Sequence, residues 1–495
     1  MSPRTFTLAS RASQLAQIQT NIVVANLEAL HPPSADSSPK FATSFMSTAG
    51  DRNQSQALYL LGGKALWTKD LEVALKEGTV DMLVHSFKDV PTVLPEGCVI
   101  GAILERENPV DSLVVKAGKD WKSLEELPAG SVVGTSSVRR VAQLRRKFPQ
   151  LKFLDVRGNL NTRMAKLDAE DGPYAALILA KSGMVRNGMG DRLTADILPP
   201  TLFHAVSQGA LAVEIRSDDV EAMELCKKIT HRQTAWACLA ERACLRVLEG
   251  GCSVPVGVST QLDDAGELEL TGCVTSLDGS LHVQHTLKEK VESVEDAESV
   301  GARLAKVLID SGAGKILADI NKDRERRVAE AEAKETVVQA RLAKELSEIK
   351  SEGCPVGENN AVFAESTVPI SLAGINLVKA DDFSTWWFTI EVMGESLYQS
   401  EVYTLQFRFD AQYPISSPAV QFVVTDGRES PVHPHVYSNG HICASILGNE
   451  WSPVLSVIAV CVTLQSMLAS CKKKERCVER FVFAFHLASD TALLD

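Results

Sequence analysis

The sequence predicts a multidomain protein of mixed α/β and α+β class, in which a two-lobed, hinged α/β part precedes two smaller α+β parts. Apolar strands alternate with amphipathic helices up to about residue 216, which is typical of open α/β sheets. Short alternating strands with flanking helices follow to about residue 320. Beyond a charge-rich stretch the composition changes again to alternating, aromatic-containing strands and a final apolar helix, which predicts a separate domain.

Length and composition bound the possible functions. A chain of 495 residues suggests about three domains, and 45% apolar with 23% charged residues is ordinary for a soluble globular protein. The net charge of −12, and the lack of aromatic residues among the clustered arginines, argue against a nucleic-acid ligand. The most apolar window, residues 454–471, is interrupted by polar side chains, which predicts a buried helix and no membrane span.

The eleven cysteines show no CxxC pair, and no signal peptide precedes them. They indicate reduced thiols and a cytoplasmic location, with the nucleus possible for the last domain. The His and Cys residues of HPHVYSNGHIC do not have the spacing of a zinc site, so the sequence predicts no metal.

Clustered arginines mark the segment from Thr135 to Arg163, TSSVRRVAQLRRKFPQLKFLDVRGNLNTR. A strand and a turn lead into the helix VRRVAQLRRKF, with Ser136 or Ser137 as its N-cap. Arg139 and Arg140 then occupy the first helical turn, where the helix macrodipole disfavours cations. We therefore expect an anion at this helix start, whereas Arg145, Arg146 and Lys147 are expected on a solvated face.

The same pattern of strand, turn and helix is predicted twice more in the chain. Arg157 and Arg163 flank the junction KFLDV-RGN-LNTRMAKL, and Arg11 and Ser13 follow the first strand, FTLAS. Guanidinium groups at neighbouring strand-to-helix junctions predict a carboxylate or phosphate site at the carboxyl ends of the strands. Lys88 and Asp89 end an apolar strand, and Asp89 is a candidate general acid for a leaving amine or else a cap or surface ion pair.

The expected domains follow from these elements. The first domain spans 4–96 and 197–216, because LFHAVSQGALAVEIR is interpreted as a return strand, and the second spans 97–196. A third domain covers 217–320, a charged helical linker 321–337, a last domain 338–480 and a divergent tail 481–495.

Seven motifs in residues 4 to about 320 resemble those of hydroxymethylbilane synthase, also called porphobilinogen deaminase. They are SRASQLA, STAGD, VHSFKDVPT, GTSSVRR, RGNLNTR, QGALAVE and EGGCSVPVG. The resemblance implies a periplasmic-binding-protein-like pair of lobes and a third domain whose Cys252 carries a covalent dipyrromethane cofactor. The sequence departs from the family pattern at Ser207 and Ala212, where glycine is common, and at Trp67, where phenylalanine is usual.

The resemblance also implies roles for the charged residues. Asp89 would handle proton transfer while four porphobilinogen units are joined head to tail with loss of ammonia. The acetate and propionate groups of the cofactor and growing chain would be held by Lys88, Arg139, Arg140 and Arg163, and by Arg11, Ser13, Arg157 and Arg186. This part is expected to act as a monomer.

Residues from about 338 to 478 resemble a ubiquitin-conjugating (E2) domain with a UBC fold, on the motifs RLAKEL, YPISSP, HPH, GHIC and WSP. The resemblance implies that Cys443 forms the ubiquitin thioester and that an activating enzyme and a ligase are partners. His435 of HPH replaces the usual asparagine, which is associated with transfer to N-terminal α-amines.

Three further interpretations remain open from the sequence. The chain is chiefly a ubiquitin-conjugating enzyme with a vestigial synthase, a non-enzymatic anion-binding module with an inactive E2-like adaptor, or a merging of two adjacent reading frames.

Overall fold

The structure is a computed structural model that describes residues 3–32, 38–48, 65–248, 254–351, 374–380, 383–410, 412–425, 427–448 and 450–476. The chain divides into two compact units, Met1–Glu325 and Arg326–Asp495. Cys252, the STAGD motif beyond Thr48 and the tail 481–495 lie outside the described residues.

A five-stranded sheet forms the first lobe of the N-terminal unit. Its strands are β1 (Thr5–Arg11), β2 (Lys40–Met46), β3 (Met82–Ser86), β4 (Cys98–Ile103) and β10 (Leu211–Arg216), in the order β2-β1-β3-β10-β4. The parallel strands connect through α1 (Gln14–Leu30) and α2 (Ala65–Lys76), while β10 pairs antiparallel with both β3 and β4. Residues 211–216 of the expected return segment 197–216 thus lie in the first sheet, and so does β4, which the sequence predicts for the second domain.

The second lobe contains another five-stranded sheet in the order β7-β6-β8-β5-β9. Its strands are β5 (Asp111–Val115), β6 (Val132–Gly134), β7 (Lys152–Leu154), β8 (Ala176–Ala180) and β9 (Ala195–Ile197). Strand β6 is parallel to both β7 and β8. Helices α3 (Val138–Lys147), α4 (Leu160–Asp168) and α5 (Lys181–Arg186) begin after β6, β7 and β8 respectively, so their N-termini meet at the carboxyl edge of these strands.

The third part of this unit packs helices on one face of an antiparallel sheet, as the sequence predicts. Strands β11 (Val256–Leu262), β12 (Glu267–Thr275) and β13 (His282–Lys290) face α7 (Arg232–Val247) and α8 (Val294–Leu308), and α6 (Val220–Ile229) precedes them. Gly301 on α8 allows close packing, because a Cβ there would lie 2.0 Å from the Ala240 carbonyl oxygen on α7.

Helix α9 (Gly314–Ser351) runs through the charge-rich stretch that the sequence marks as a linker. Its first turns contribute Ile316, Leu317 and Ile320 to the core of the N-terminal unit. Its last turns contribute Val338, Leu342 and Ile349 to the core of the C-terminal unit.

The C-terminal unit is built on a four-stranded antiparallel meander. The strands are β14 (Ile375–Lys379), β15 (Thr385–Glu391), β16 (Val402–Arg408) and β17 (Ala419–Phe422). The apolar window forms α10 (Val457–Ala469), whose buried side chains Val457, Val460, Cys461, Leu464 and Leu468 join the same core. The prediction of a buried helix is therefore confirmed, and no helix in the described parts of the chain meets the length and hydropathy needed to span a membrane.

Candidate functional site

The first arginine junction has a buried carboxylate at its centre. Ser137 caps α3, its side chain accepting from the Arg140 amide at 3.5 Å, so one of the two expected caps is the correct one. Arg139 and Arg140 are only 5% and 8% exposed, and both pair with Asp111, at 2.8 and 2.7 Å. The anion expected at this helix start is therefore present within the protein, on β5.

Burial and charge act in opposite directions at this cluster. The two guanidinium groups hold the pKa of Asp111 well below its usual range, although burial alone would raise it. Burial lowers the pKa of Arg139, and the neighbouring Arg140 charge lowers it further. Gln208, just before β10, also donates to Asp111 at 2.8 Å. This carboxylate therefore connects the second lobe to the segment that leads back into the first sheet.

The second junction leaves its arginines closer to solvent. Arg163 is half-buried and its Nε donates to the Gly158 carbonyl at 2.8 Å, while Arg157 pairs with Asp155 at 2.8 Å. Burial lowers the pKa of Arg163 to about 10, the Arg140 and Arg157 charges lower it as well, and Asp155 and Asp89 act against this. Arg163 is thus a cation close to other cations, which favours an anionic ligand.

The two junctions are joined by one hydroxyl group. Ser136 Oγ donates to the Val156 carbonyl at 2.8 Å and accepts from the Val156 amide at 3.2 Å. This contact fixes the turn before α3 against the strand end before α4. Arg145, Arg146 and Lys147 at the other end of α3 are exposed, as predicted.

Residues at the third junction have structural contacts of their own. Ser13 is the N-cap of α1 and accepts from the Ala16 amide at 3.4 Å. The Arg11 guanidinium lies over the Trp67 ring, 4.1 Å from its centroid.

Arg186, at the end of α5, donates to the Gly209 carbonyl at 2.7 Å, and burial lowers its pKa. The structure therefore places Arg186 next to Gly209, in the segment that precedes β10.

Lys88 and Asp89 do not end a strand, contrary to the sequence interpretation. Strand β3 stops at Ser86, and Phe87–Asp89 form a 3-10 turn because Phe87 turns inward and is fully buried. Asp89 accepts from Lys88 Nζ at 2.7 Å, and both side chains are partly exposed. A partly exposed carboxylate that is paired with an ammonium group can exchange protons with a bound molecule.

The residues present fit a carboxylate-bearing cofactor. Arg163 is a half-buried cation whose electrostatic neighbours include Arg140, Arg157 and Asp89, so it gains from any added negative charge. Sequence reasoning missed Asp111 and Gln208, which hold the buried arginines. No local signal could have shown this pairing, because Asp111 lies on a different strand and Gln208 on the return segment.

In the C-terminal unit, Cys443 is exposed and lies beside the HPH motif. Its amide donates to the His435 carbonyl at 2.8 Å, and the neighbouring residues Val436 and Ile442 form an isolated antiparallel bridge. His435 is exposed, whereas His433 is buried and its Nδ1 accepts from the His435 amide at 3.1 Å. Burial lowers the pKa of His433, which favours the neutral ring that this contact requires.

A buried glutamate on α9 organises the rest of this unit. Glu345 is 2% exposed and accepts from the Tyr413 hydroxyl at 2.5 Å, the Arg341 Nε at 2.7 Å and the Val457 amide at 2.9 Å. Trp451 Nε1 donates to the Pro414 carbonyl at 2.9 Å. The contacts of Glu345 connect α9 to the YPISSP turn and to α10, and the contact of Trp451 connects the WSP motif to the same turn.

Comparison with known proteins identifies both parts. Residues 6–224 match the family model of the porphobilinogen deaminase dipyromethane cofactor binding domain, and residues 235–310 match that of the porphobilinogen deaminase C-terminal domain. Porphobilinogen deaminase of Yarrowia lipolytica is 46% identical over 64% of this chain and 94% of its own length. That of Nostoc sp. is 50% identical over 64% and 95%.

Residues 365–484 match the ubiquitin-conjugating enzyme family model. The E2 enzyme UbcA1 from Agrocybe aegerita is 71% identical over 30% of this chain and 94% of its own, with a TM-score of 0.26. An E2 from Plasmodium falciparum is 28% identical over 27% and 99%, with a TM-score of 0.22. The chain therefore belongs to the porphobilinogen deaminase family and carries a ubiquitin-conjugating enzyme domain in its C-terminal unit.

Proposed function

We propose a division of roles among the residues of the deaminase site. Asp89 carries the proton: its carboxyl group protonates the leaving amine, which departs as ammonia, and its carboxylate then stabilises the positive charge on the pyrrole. Arg163, Arg157, Arg186 and Arg11 bind the acetate and propionate groups of substrate and chain, with Lys88 beside Asp89 and Ser13 at the start of α1. Arg139 and Arg140 support the same edge from the buried Asp111 cluster.

The observation that carries this proposal is the electrostatic environment of Arg163. Burial and the charges of Arg140 and Arg157 lower its pKa, and Asp155 and Asp89 raise it, so the proposed acid and the proposed anion-binding groups lie within electrostatic reach of one another. The cofactor, attached in this proposal to Cys252, supplies when bound the free pyrrole position to which the first porphobilinogen is joined. Several guanidinium groups near the proposed acid suit a product that gains carboxylates with every unit added.

Intact mass of the purified full-length chain tests the attachment site. Wild type should carry an increment equal to one dipyrrole, Cys252→Ser should lack it, and Cys443→Ser should keep it. An unmodified wild type, or a modified Cys252→Ser protein, would refute the assignment.

Turnover of porphobilinogen tests the acid. Asp89→Ala should lower kcat at least 100-fold, the usual range for loss of a general acid. Asp264→Ala, which removes an exposed carboxylate outside the cleft-forming lobes, should leave kcat unchanged. Near-normal turnover in Asp89→Ala would show that another group moves the proton.

We propose that the C-terminal unit forms a ubiquitin thioester on Cys443 and transfers ubiquitin to N-terminal α-amines. The exposed thiol and the adjacent His435 support this. An α-amine, with a pKa of about 7.7–8.0, is largely nucleophilic at neutral pH, whereas a lysine amine near 10.4 needs help to lose its proton. Ser445, where aspartate is common, donates to Glu450 at 2.6 Å.

Discharge of the loaded enzyme onto two peptides tests this preference. One peptide has a free N-terminus and acetylated lysines, and the other has an acetylated N-terminus and free lysines. Faster transfer to the first is expected, and equal or reversed rates would contradict the α-amine assignment. Failure to form any reducible adduct with activating enzyme, ATP and ubiquitin would favour an inactive adaptor.

The remaining partners follow from these activities. The proposal includes an activating enzyme and a ligase as transient partners of the C-terminal unit, a monomeric deaminase unit, and a cytoplasmic location. The eight cysteines within the described ranges are all free thiols, which is compatible with a reducing compartment.

A further inference from the structure

The turn that carries Asp89 is held by three separate elements. Gln19 on α1 and Ser86 exchange side-chain hydrogen bonds of 2.9 and 3.0 Å. The Phe87 amide donates to the Ala210 carbonyl at 3.0 Å, just before β10. The third contact comes from Arg242, on α7 of the third part of the unit.

Arg242 contacts the turn on both sides of Asp89. Its Nη1 donates to the Val90 carbonyl at 3.1 Å, and its Nη2 donates to the Pro91 carbonyl. On the other side of Asp89, the Phe87 ring lies under the same guanidinium, 4.4 Å from its carbon to the ring centroid. Planar guanidinium geometry suits two adjacent carbonyls and a stacked ring at once, which a lysine ammonium cannot match.

This arrangement is costly for a purely structural contact. Arg242 is 3% exposed, and within the described residues its hydrogen bonds go to carbonyl oxygens and to no carboxylate. Burial lowers its pKa to about 10, and the charges of Glu214 and Glu298 offset this only in part. By contrast, the partly buried Arg106 of the same unit pairs with Glu241 at 2.6 Å. Burying a cation without a hydrogen-bonded carboxylate partner lowers stability, and what this guanidinium holds in return is the backbone next to Asp89.

We propose that Arg242 is a positioning residue for Asp89, fixing the backbone on both sides of the catalytic carboxylate. This inference rests on the proposed role of Asp89. Helix α7 ends at Val247, and Cys252 follows shortly after in the sequence. Helix α7 leads to the proposed cofactor cysteine. Through Arg242, the same helix also supports the turn that carries the proposed acid. Small displacements of a catalytic group lower the rate strongly while substrate affinity is retained.

Steady-state kinetics of the full-length, cofactor-loaded chain test the proposal. Arg242→Gln should lower kcat about 10- to 100-fold and change KM less than threefold. Arg242→Lys, which keeps the charge but cannot span both carbonyls, should lower kcat about 3- to 10-fold. Both variants should keep the dipyrrole mass increment. The control is Arg216→Gln, because Arg216 also donates to two carbonyls, of Leu75 and Val80 at 3.0 and 2.7 Å, and pairs with Asp81 and Asp219, all away from the turn.

A double-mutant cycle separates positioning from general destabilisation. In an Asp89→Glu background, where the carboxylate is already displaced, Arg242→Gln should cost less than threefold in kcat. An equal fractional loss in both backgrounds, or a kcat within threefold of wild type for Arg242→Gln, would overturn the proposal. If Arg242→Gln does not fold, Arg242→Lys decides: unchanged kcat overturns it. Near-normal turnover in Asp89→Ala would instead overturn the assignment of the acid.

Discussion

The arginine-lined edge of the deaminase unit and the Cys443 segment of the E2 unit differ most in burial. Arg139 and Arg140 are almost fully buried around a completely buried Asp111. Cys443 is exposed, on a segment held by backbone hydrogen bonds and an isolated bridge. In the proposed functions a growing polyanion is held through several condensations, whereas the thioester on Cys443 has to be accessible from outside. The difference is consistent with the proposed roles: charge is buried in the deaminase unit, and the proposed nucleophile is left exposed in the E2 unit.

The sharpest test of this comparison is whether the two sites are independent. Cys443→Ser should abolish the reducible ubiquitin adduct and leave porphobilinogen turnover within twofold of wild type. Asp89→Ala should lower turnover at least 100-fold and leave adduct formation unchanged. Intact-protein gels and turnover assays on the same preparations measure both, and a loss of both activities in either variant would show that the sites are coupled.

Substitution of the buried Arg140 should mainly lower stability, whereas substitution of the partly exposed Arg157 should mainly weaken substrate binding. Arg140→Gln removes one of the two guanidinium partners of the buried Asp111 and the donor to the Ile178 carbonyl, while Arg139 stays paired, and we expect the free energy of unfolding to fall by about 1–3 kcal/mol. Arg157→Gln breaks a half-exposed pair and should cost less than about 1 kcal/mol. It should instead raise KM for porphobilinogen about tenfold, as expected for a lost charged hydrogen bond of roughly 1.5–3 kcal/mol.

Calorimetry and steady-state kinetics of these two variants measure the contrast. A strongly destabilised Arg157→Gln with normal KM, or an Arg140→Gln of wild-type stability, would reverse the assignment of structural and ligand-binding roles.

A buried histidine makes the stability of the deaminase unit dependent on pH. Burial lowers the pKa of His204 from 6.5 to about 4, so the folded state keeps this ring neutral. Between these values the unfolded state binds a proton that the folded state does not. Stability is therefore present above pH 6.5 and is lost as pH falls toward 4, by roughly 3 kcal/mol at one pKa unit per 1.36 kcal/mol.

His204→Gln should remove this part of the slope, as measured by calorimetry between pH 7 and 4. His441→Gln, an exposed histidine of the C-terminal unit, is the control. An unchanged slope in His204→Gln would mean that other groups account for the acid sensitivity.

The smallest expected effect concerns a departure from the family pattern. Ser207 has φ of +61°, a left-handed conformation that favours glycine, which is the residue common in the family here. Ser207→Gly should stabilise the deaminase unit by about 1 kcal/mol through relief of this strain. A rise of about 2–4 °C in the melting temperature is expected. The matched change Ser217→Gly, at a residue without positive φ, should not raise it.

Local patterns were sufficient for the secondary structure around the site. A serine cap at position 136 or 137, the helix that follows it and the strand within LFHAVSQGALAVEIR all follow from nearby residues. The 3-10 turn at Phe87–Asp89 did not, because it depends on where Phe87 is buried. A phenylalanine at position 87 fits the sequence pattern of a strand whether the backbone there is extended or forms a 3-10 turn.

Long-range pairing was beyond what the sequence could show. The expected anion at the start of α3 was interpreted as a ligand, although Asp111 on β5 already fills that position. The contact of Arg242 with the Asp89 turn likewise joins residues 151 and 152 positions apart. Such pairs depend on how the lobes fold together, and no helical or strand period encodes them.

The contacts of Glu345 determine how the chain can be divided. A shortened polypeptide that begins at residue 365, where the E2 family match begins, lacks Glu345 and Leu342. The Tyr413 hydroxyl and the Val457 amide then lose their acceptor inside the protein. An E2 fragment that folds on its own is expected to start before Arg341, inside a helix whose first turns belong to the deaminase core. The first turns of α9 are therefore needed by one unit and its last turns by the other, so no single position in the sequence divides the chain without loss.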